Sequence, residues 1–143
     1  PINPIFLTLP QSACTILNLP YGEELIPRMS FTPKERPMVE KYVCISIHST
    51  AMIKYWYYWQ ELIDGLVEKG YKVIEISKEE EIRGIDTKDL RNASILEDKS
   101  LDNTMNYIHH CDFFIGLSSG LSWLAWALHK KVFMIANFTE PKH

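Results

Sequence analysis

Near its end the chain carries a run in which almost every residue is apolar or small: CDFFIGLSSGLSWLAWALHKKVFMIA, Cys111–Ala136. No other stretch limits the fold so tightly. The pattern predicts a buried strand over Asp112–Ile115, a tight turn at Gly116–Gly120, an apolar helix over Leu121–His129 and a second buried strand over Val132–Ala136. Strand, turn, helix and parallel strand make a βαβ unit, which sets the turn at the carboxyl edge of a parallel sheet. Amides left free where the helix begins can seat an anion such as a nucleotide diphosphate. The same small residues also suit a close-packed corner that binds nothing.

The preceding chain repeats the theme. Tyr42–Ile47 (YVCISI) reads as a strand covered on both faces. Trp59, Leu62, Ile63, Leu66 and Val67 then fall on one helical face, with Gln60, Glu61, Asp64 and Glu68 on the other. Gly70 suits the helix stop and Tyr71–Ile76 the next strand, giving a second βαβ unit. Ser94–Leu96 reads as a very short strand. Ser100 or Asp102 caps a helix with an inner stripe of Leu101, Met105 and Ile108. The charged run Lys78–Arg83 with Asp86 reads as an irregular, solvated face, followed by a short helical turn around Thr87–Arg91. Before residue 41 the character changes: seven of the eight prolines lie there, with only a short helix expected at Gln11–Leu17. Residues 1–40 are therefore expected to be a lead-in or interdomain segment that buries Ile16, Leu17 and Leu19 against a neighbour. Residues 41–143 are expected to form one Rossmann-like, three-layer α/β domain with a parallel sheet, truncated at its C-terminus.

Several function classes fall away. The chain holds no G-x-G-x-x-G, no Walker loop and no G-x-S-x-G, which disfavours dehydrogenases, P-loop enzymes and serine hydrolases. A net charge of −3 gives no reason to expect nucleic acid as a partner. No apolar run is long enough to span a bilayer. Cys14, Cys44 and Cys111 are widely spaced and form no zinc or disulfide pattern, which points to a reducing compartment. His109, His110 and Cys111 are adjacent, but neighbours on a helix point apart, so no metal site is expected. What remains is a pair of loops at one sheet edge. His48, Ser49, Thr50 and Lys54 sit on the first, and Ser118, Ser119 and Gly120 on the second. A lysine and hydroxyls facing helix amides can clamp a diphosphate and stabilise it as a leaving group. For Lys54 the plain alternative is a surface lysine, although Tyr55, Trp56, Tyr57, Tyr58 and Trp59 beside it argue against full exposure. Those aromatics suit core or domain packing for the most part.

At these residues the sequence resembles the bacterial autotransporter heptosyltransferases and, more distantly, the lipopolysaccharide heptosyltransferases. The resemblance rests on Leu9–Tyr21, Ile45–Trp56 with Trp59–Glu61, Gly70–Ser77, Cys111–Leu128 and Val132–Thr139. It implies the donor-binding half of a GT-B glycosyltransferase, using ADP-heptose as donor substrate, with no prosthetic group and no metal at the reaction centre. By that resemblance the enzyme is cytoplasmic and transfers heptose, with inversion, to serine hydroxyls of an autotransporter adhesin. Carried over, Lys54 with Ser49 and Thr50 hold the donor phosphates, and Ser118, Ser119 and Gly120 lie under them. Ile76, Ser77 and Lys78 approach the nucleoside, and Phe138 and Thr139 stand beside the sugar.

The sequence departs from the family in three ways. The amino-side acceptor domain and its acidic base are not in this chain, and the cysteines of the family's structural iron would lie beyond His143. His129-Lys130-Lys131 stands where relatives often have Gly-Lys-Pro. Two other readings stay open: a binding-only Rossmann-like module, and a transferase or epimerase that uses another nucleotide sugar.

Overall fold

The computed structural model describes residues 9–20, 29–79, 81–82 and 85–135. In chain order the elements are α1 (Leu9–Ile16), β1 (Tyr42–Ser46), α2 (Trp59–Glu68), β2 (Lys72–Glu75), β3 (Glu81–Ile82), β4 (Ile85–Asp86), β5 (Ala93–Ile95), α3 (Leu101–His110), β6 (Phe114–Leu117), α4 (Gly120–Ala127) and β7 (Val132–Ile135). Five strands pair in parallel in the order β5-β2-β1-β6-β7. The remaining two, β3 and β4, form a small antiparallel hairpin inside the charged run expected to be irregular. Strand β1 is central. The chain lays down β2 and β5 on one side of it, then returns to the other side with β6 and β7. That reversal opens a crevice between the carboxyl ends of β1 and β6, the usual ligand position in such sheets.

Alternation along each strand feeds two cores. Val43, Ile45, Val73 and Ile115 meet Trp59, Ile63 and Leu66 of α2 on one face. Tyr42, Cys44, Ile74 and Phe114 meet Ile108 of α3 and Ala125 of α4 on the other. The three-layer α/β/α architecture is as expected. Burying an Ile or Phe of this kind stabilises the fold by about 1.5–3 kcal/mol.

Two expected stripe residues are misplaced. Val67 is exposed because it lies in the last turn of α2, and Leu101 is 59% exposed because it opens α3 at the mouth of a cavity. Gly116, expected in the turn, belongs to β6 instead. There a Cβ would stand 2.7 Å from both the Phe114 ring and Ser122 Oγ, so only glycine lets α4 pack this close to the strand. Ser122, fully buried, donates its hydroxyl to the Leu117 carbonyl and locks the contact.

Helices α2 and α4 stop in the same way. In α2, the amides of Gly70 and Tyr71 donate back to Val67 and Leu66, with Gly70 at φ +82°. In α4, the amides of His129 and Lys130 donate to Trp126 and Ala125, with His129 at φ +58°. This paired pattern is the left-handed stop that favours glycine, yet at α4 an exposed histidine fills it.

Ahead of the sheet, residues 29–40 follow α3. The buried Asn106 side chain accepts the Lys34 amide at 2.9 Å and donates to the Glu35 carbonyl at 3.1 Å. His110 Nε2 lies 2.9 Å from the Lys34 carbonyl, and the His109 ring packs near Phe31. Burial and the neighbouring His110 hold the His109 imidazole below its ordinary range. Cys111 is buried and donates its thiol to the Ile108 carbonyl. Further upstream in the lead-in, Ile16, Leu17 and Leu19 are exposed within this chain at 82%, 65% and 56%. Both faces of the sheet are already covered by α2 and by α3 with α4, which leaves α1 no apolar layer of the core to join.

Candidate functional site

A cavity of about 910 Å³ lies over the carboxyl edge of the sheet. The β1 side of the crevice is supplied by residues 47–58. His48 and Ser49 are buried just past the strand, and Thr50 is exposed. A single 3₁₀ turn, Met52–Lys54, then brings Lys54 back toward the sheet. The aromatic residues next to it fix that turn. Tyr55 and Trp59 are buried in the α2-side core, and Trp56 meets Trp59 edge-on at 5.2 Å, while Tyr57 and Tyr58 are exposed. An exposed lysine is thus ruled out by its surroundings. Lys54 Nζ reaches across the switch point and donates to the Ser118 carbonyl at 3.0 Å. An ammonium group has three protons to donate, so this bond aims the group while leaving others for a ligand.

The β6 side is made of backbone. Ser118 and Ser119 are the whole connection between β6 and α4. Ser119 is the N-cap residue of α4, but its hydroxyl makes no capping bond; Oγ is buried without a hydrogen-bond partner. Gly120 and Leu121, which open α4, line the same cavity as Ser119 and Lys54, so the amides left free at this helix start lie beside that hydroxyl and the Lys54 ammonium. Together they offer positive potential and several donors at one point, which suits an oxyanion.

Glu75 is the buried acid of this edge, 0% exposed at the end of β2. One oxygen, Oε1, accepts the Ser77 amide at 2.8 Å; the other, Oε2, has no hydrogen-bond partner. Burial raises the carboxyl above its ordinary range, against the bonds from Ser77 and the charges of Lys99 and His48.

Eight residues proposed from sequence line this one cavity: Ser49, Thr50, Lys54, Ile76, Lys78, Ser118, Ser119 and Gly120. Ser77 lies behind the wall. Its hydroxyl sits 3.3 Å from Ser46 Oγ and accepts the Ile47 amide, tying the ends of β1 and β2 together. Phe138 and Thr139 lie outside the described residues. Ser46, Glu79, Lys99, Thr104 and Trp123 also line the cavity and were not evident from sequence. The available signal for Lys99 was its place in the loop after β5, at the same sheet edge.

The chain is similar in sequence and fold to known proteins. Residues 20–143 match glycosyltransferase family 9 (heptosyltransferase). The chain is 36% identical over 126 residues to the autotransporter heptosyltransferase Aah of Escherichia coli, covering 80% of this chain and 31% of that protein. It is 38% identical over 112 residues to TibC of Escherichia coli O78:H11, covering 74% and 28%. The inactive autotransporter heptosyltransferase BimC of Burkholderia thailandensis is 29% identical over 123 residues, covering 82% of this chain and 29% of that protein. Among solved structures, the iron-containing dodecameric TibC in complex with ADP-D-beta-D-heptose superposes with a TM-score of 0.71 at 36% identity, over 80% of this chain and 32% of that one. The Escherichia coli heptosyltransferase WaaC with ADP shares the fold, with a TM-score of 0.57 at 20% identity over 71% and 35%. This chain thus spans about a third of the length of the relatives it matches. Of its own cysteines, Cys44 and Cys111 are buried and Cys14 is partly exposed, and no cluster of three metal-binding side chains occurs among the described residues.

Proposed function

This chain belongs to glycosyltransferase family 9, within the bacterial autotransporter heptosyltransferases, and on that premise we propose that its cavity holds the donor nucleotide sugar, ADP-heptose, for transfer to a protein. Its parallel α/β fold is the Rossmann-like donor-binding half of a GT-B enzyme. The observation that carries the reading is the Lys54–Ser118 contact across the switch point, which aims an ammonium at the start of α4.

Breaking the bond between sugar and diphosphate leaves negative charge on the departing phosphate. Lys54, the Ser119 hydroxyl and the first amides of α4 are fixed beforehand where that charge grows, so they stabilise the transition state without reorganising. Ser49 and Thr50 add hydroxyl donors from the β1 side. Ile76 and Lys78, farther along the edge, flank the nucleoside. The acceptor is a serine hydroxyl of an autotransporter adhesin, attacking from the face opposite the leaving group; the base that activates it comes from outside residues 1–143. Residues 41–143 are the donor domain proper and residues 1–40 lead into it.

A second reading has one observation in its favour, since one relative of similar coverage is named inactive. In that case the domain serves as a scaffold. Calorimetric titration with ADP, GDP, UDP and CMP separates the two. ADP is expected to bind best, and Lys54→Ala to weaken it. Indifference to all four nucleotides would rule out a donor site.

A further inference from the structure

The cavity contains a second ammonium. Lys99 precedes α3 and lines the cavity wall, and its Nζ is buried without a hydrogen-bond partner among the described residues. Leaving a charged donor unsatisfied in a folded protein is costly, so such a group calls for an acceptor that the described residues do not supply. Glu75 is close enough for its carboxyl to feel the Lys99 charge, and its Oε2 is likewise unpartnered. Lys99 lines the cavity and Glu75 lies buried behind its wall, so of the two the ammonium is the group open to a ligand.

Their place along the sheet separates this pair from the phosphate seat. Glu75 ends β2 and Ser118 follows β6, with β1 between them. Two strand spacings amount to roughly 10 Å, which a single phosphate does not bridge. The wall at the Lys99 end includes Ile76, Leu101 and Thr104, an apolar and neutral lining suited to a flat heterocycle or a ribose.

We propose that Lys99 is a specificity residue of the donor site: its Nζ donates to an acceptor atom on the nucleoside half of the ligand, while the Glu75 carboxyl keeps the ammonium in place. This rests on the donor-site reading above. A ring nitrogen of a base and a ribose oxygen both offer the required acceptor; a phosphate oxygen is the competing source.

The test is to titrate this chain and its Lys99→Met and Lys54→Ala variants with ADP, adenosine and inorganic pyrophosphate, with a thermal melt for each variant. Methionine keeps the stem that packs and removes only the charge. Lys99→Met is expected to melt like the parent, to weaken ADP and adenosine by roughly ten- to a hundredfold, and to leave pyrophosphate unchanged. Lys54→Ala is expected to weaken ADP and pyrophosphate alike. Equal loss of pyrophosphate and ADP in Lys99→Met would make Lys99 a second phosphate ligand and overturn the assignment, as would unchanged ADP binding. A parent chain that binds none of the three probes fails at the donor-site reading itself. Should the methionine variant melt early, Lys99→Arg supplies the comparison: retained pyrophosphate binding with altered preference for ADP over GDP supports the assignment, and an unaltered preference overturns it.

Discussion

The two crossover units beside the switch point reach the same edge with opposite materials. In β1-α2-β2, a long connection, residues 47–58, delivers side chains, and buried aromatics hold it in place. In β6-α4-β7, two serines suffice, and what reaches the crevice is a carbonyl, a hydroxyl and helix amides. The first unit supplies a full charge on a movable stem. The second supplies fixed dipoles, whose aim depends on the close packing of α4 at Gly116. A diphosphate seat needs both, since a charge attracts and fixed donors orient.

The comparison is tested most severely by removing the charge. Lys54→Ala should weaken nucleotide binding by about ten- to a hundredfold, the loss of a bond to a charged group of about 1.5–3 kcal/mol, with an unchanged melting curve; a large shift in Tm would mean Lys54 is structural. Breaking the other unit should show the reverse balance. Gly116→Ala pushes a methyl against the Phe114 ring and Ser122, and should cost about 1–3 kcal/mol of stability in chemical denaturation. At the far ends of the helices the two units can be set against each other. Gly70→Ala should destabilise by about 1 kcal/mol, because Ala is strained at φ +82°. His129→Gly should stabilise by up to about 1 kcal/mol, because it relieves the same strain. Equal and opposite small shifts would show the two stops to be equivalent, and a loss on His129→Gly would show that the histidine serves some further contact.

The smallest effect lies in pH. The strand β2 ends in the buried acid Glu75, whereas β7 ends in Ile135. Because its folded pKa is raised, chiefly by burial, Glu75 holds its proton to higher pH in the folded than in the unfolded chain. Parent stability should therefore fall relative to Glu75→Gln as pH rises from the ordinary carboxylate range to the raised value, and the gap should be constant above it. Thermal melts across that range measure the gap; a gap that widens toward acid would reverse the sign.

The sheet and its site were legible to different depths. Apolar runs such as Tyr42–Ser46 and Phe114–Leu117 announced themselves, because central parallel strands are covered on both faces. Lys54 and Ser118 were legible for the same reason: each follows such a strand. Lys99 follows β5, an edge strand of three residues with an exposed Ser94, and nothing local distinguishes it from other charged loop residues. Its environment is made by β2 and α3, which meet only in the folded chain. Ser77 lies at the same edge but outside the cavity lining, and sequence could not show this, since proximity to the edge does not say which way a hydroxyl turns. Gly116 looked like turn chemistry because a glycine needed for close packing is indistinguishable, in sequence, from one needed for backbone freedom.

Asn106 presents one acceptor and one donor to the amide of Lys34 and the carbonyl of Glu35, as a neighbouring strand would. A single side chain thus imitates a piece of backbone and gives an irregular, proline-bearing segment a register it has no ladder to provide. Aspartate in its place would keep the acceptor and lose the donor; leucine would lose both. The path by which the chain enters its sheet is in that sense written on α3, and one amide group spells it.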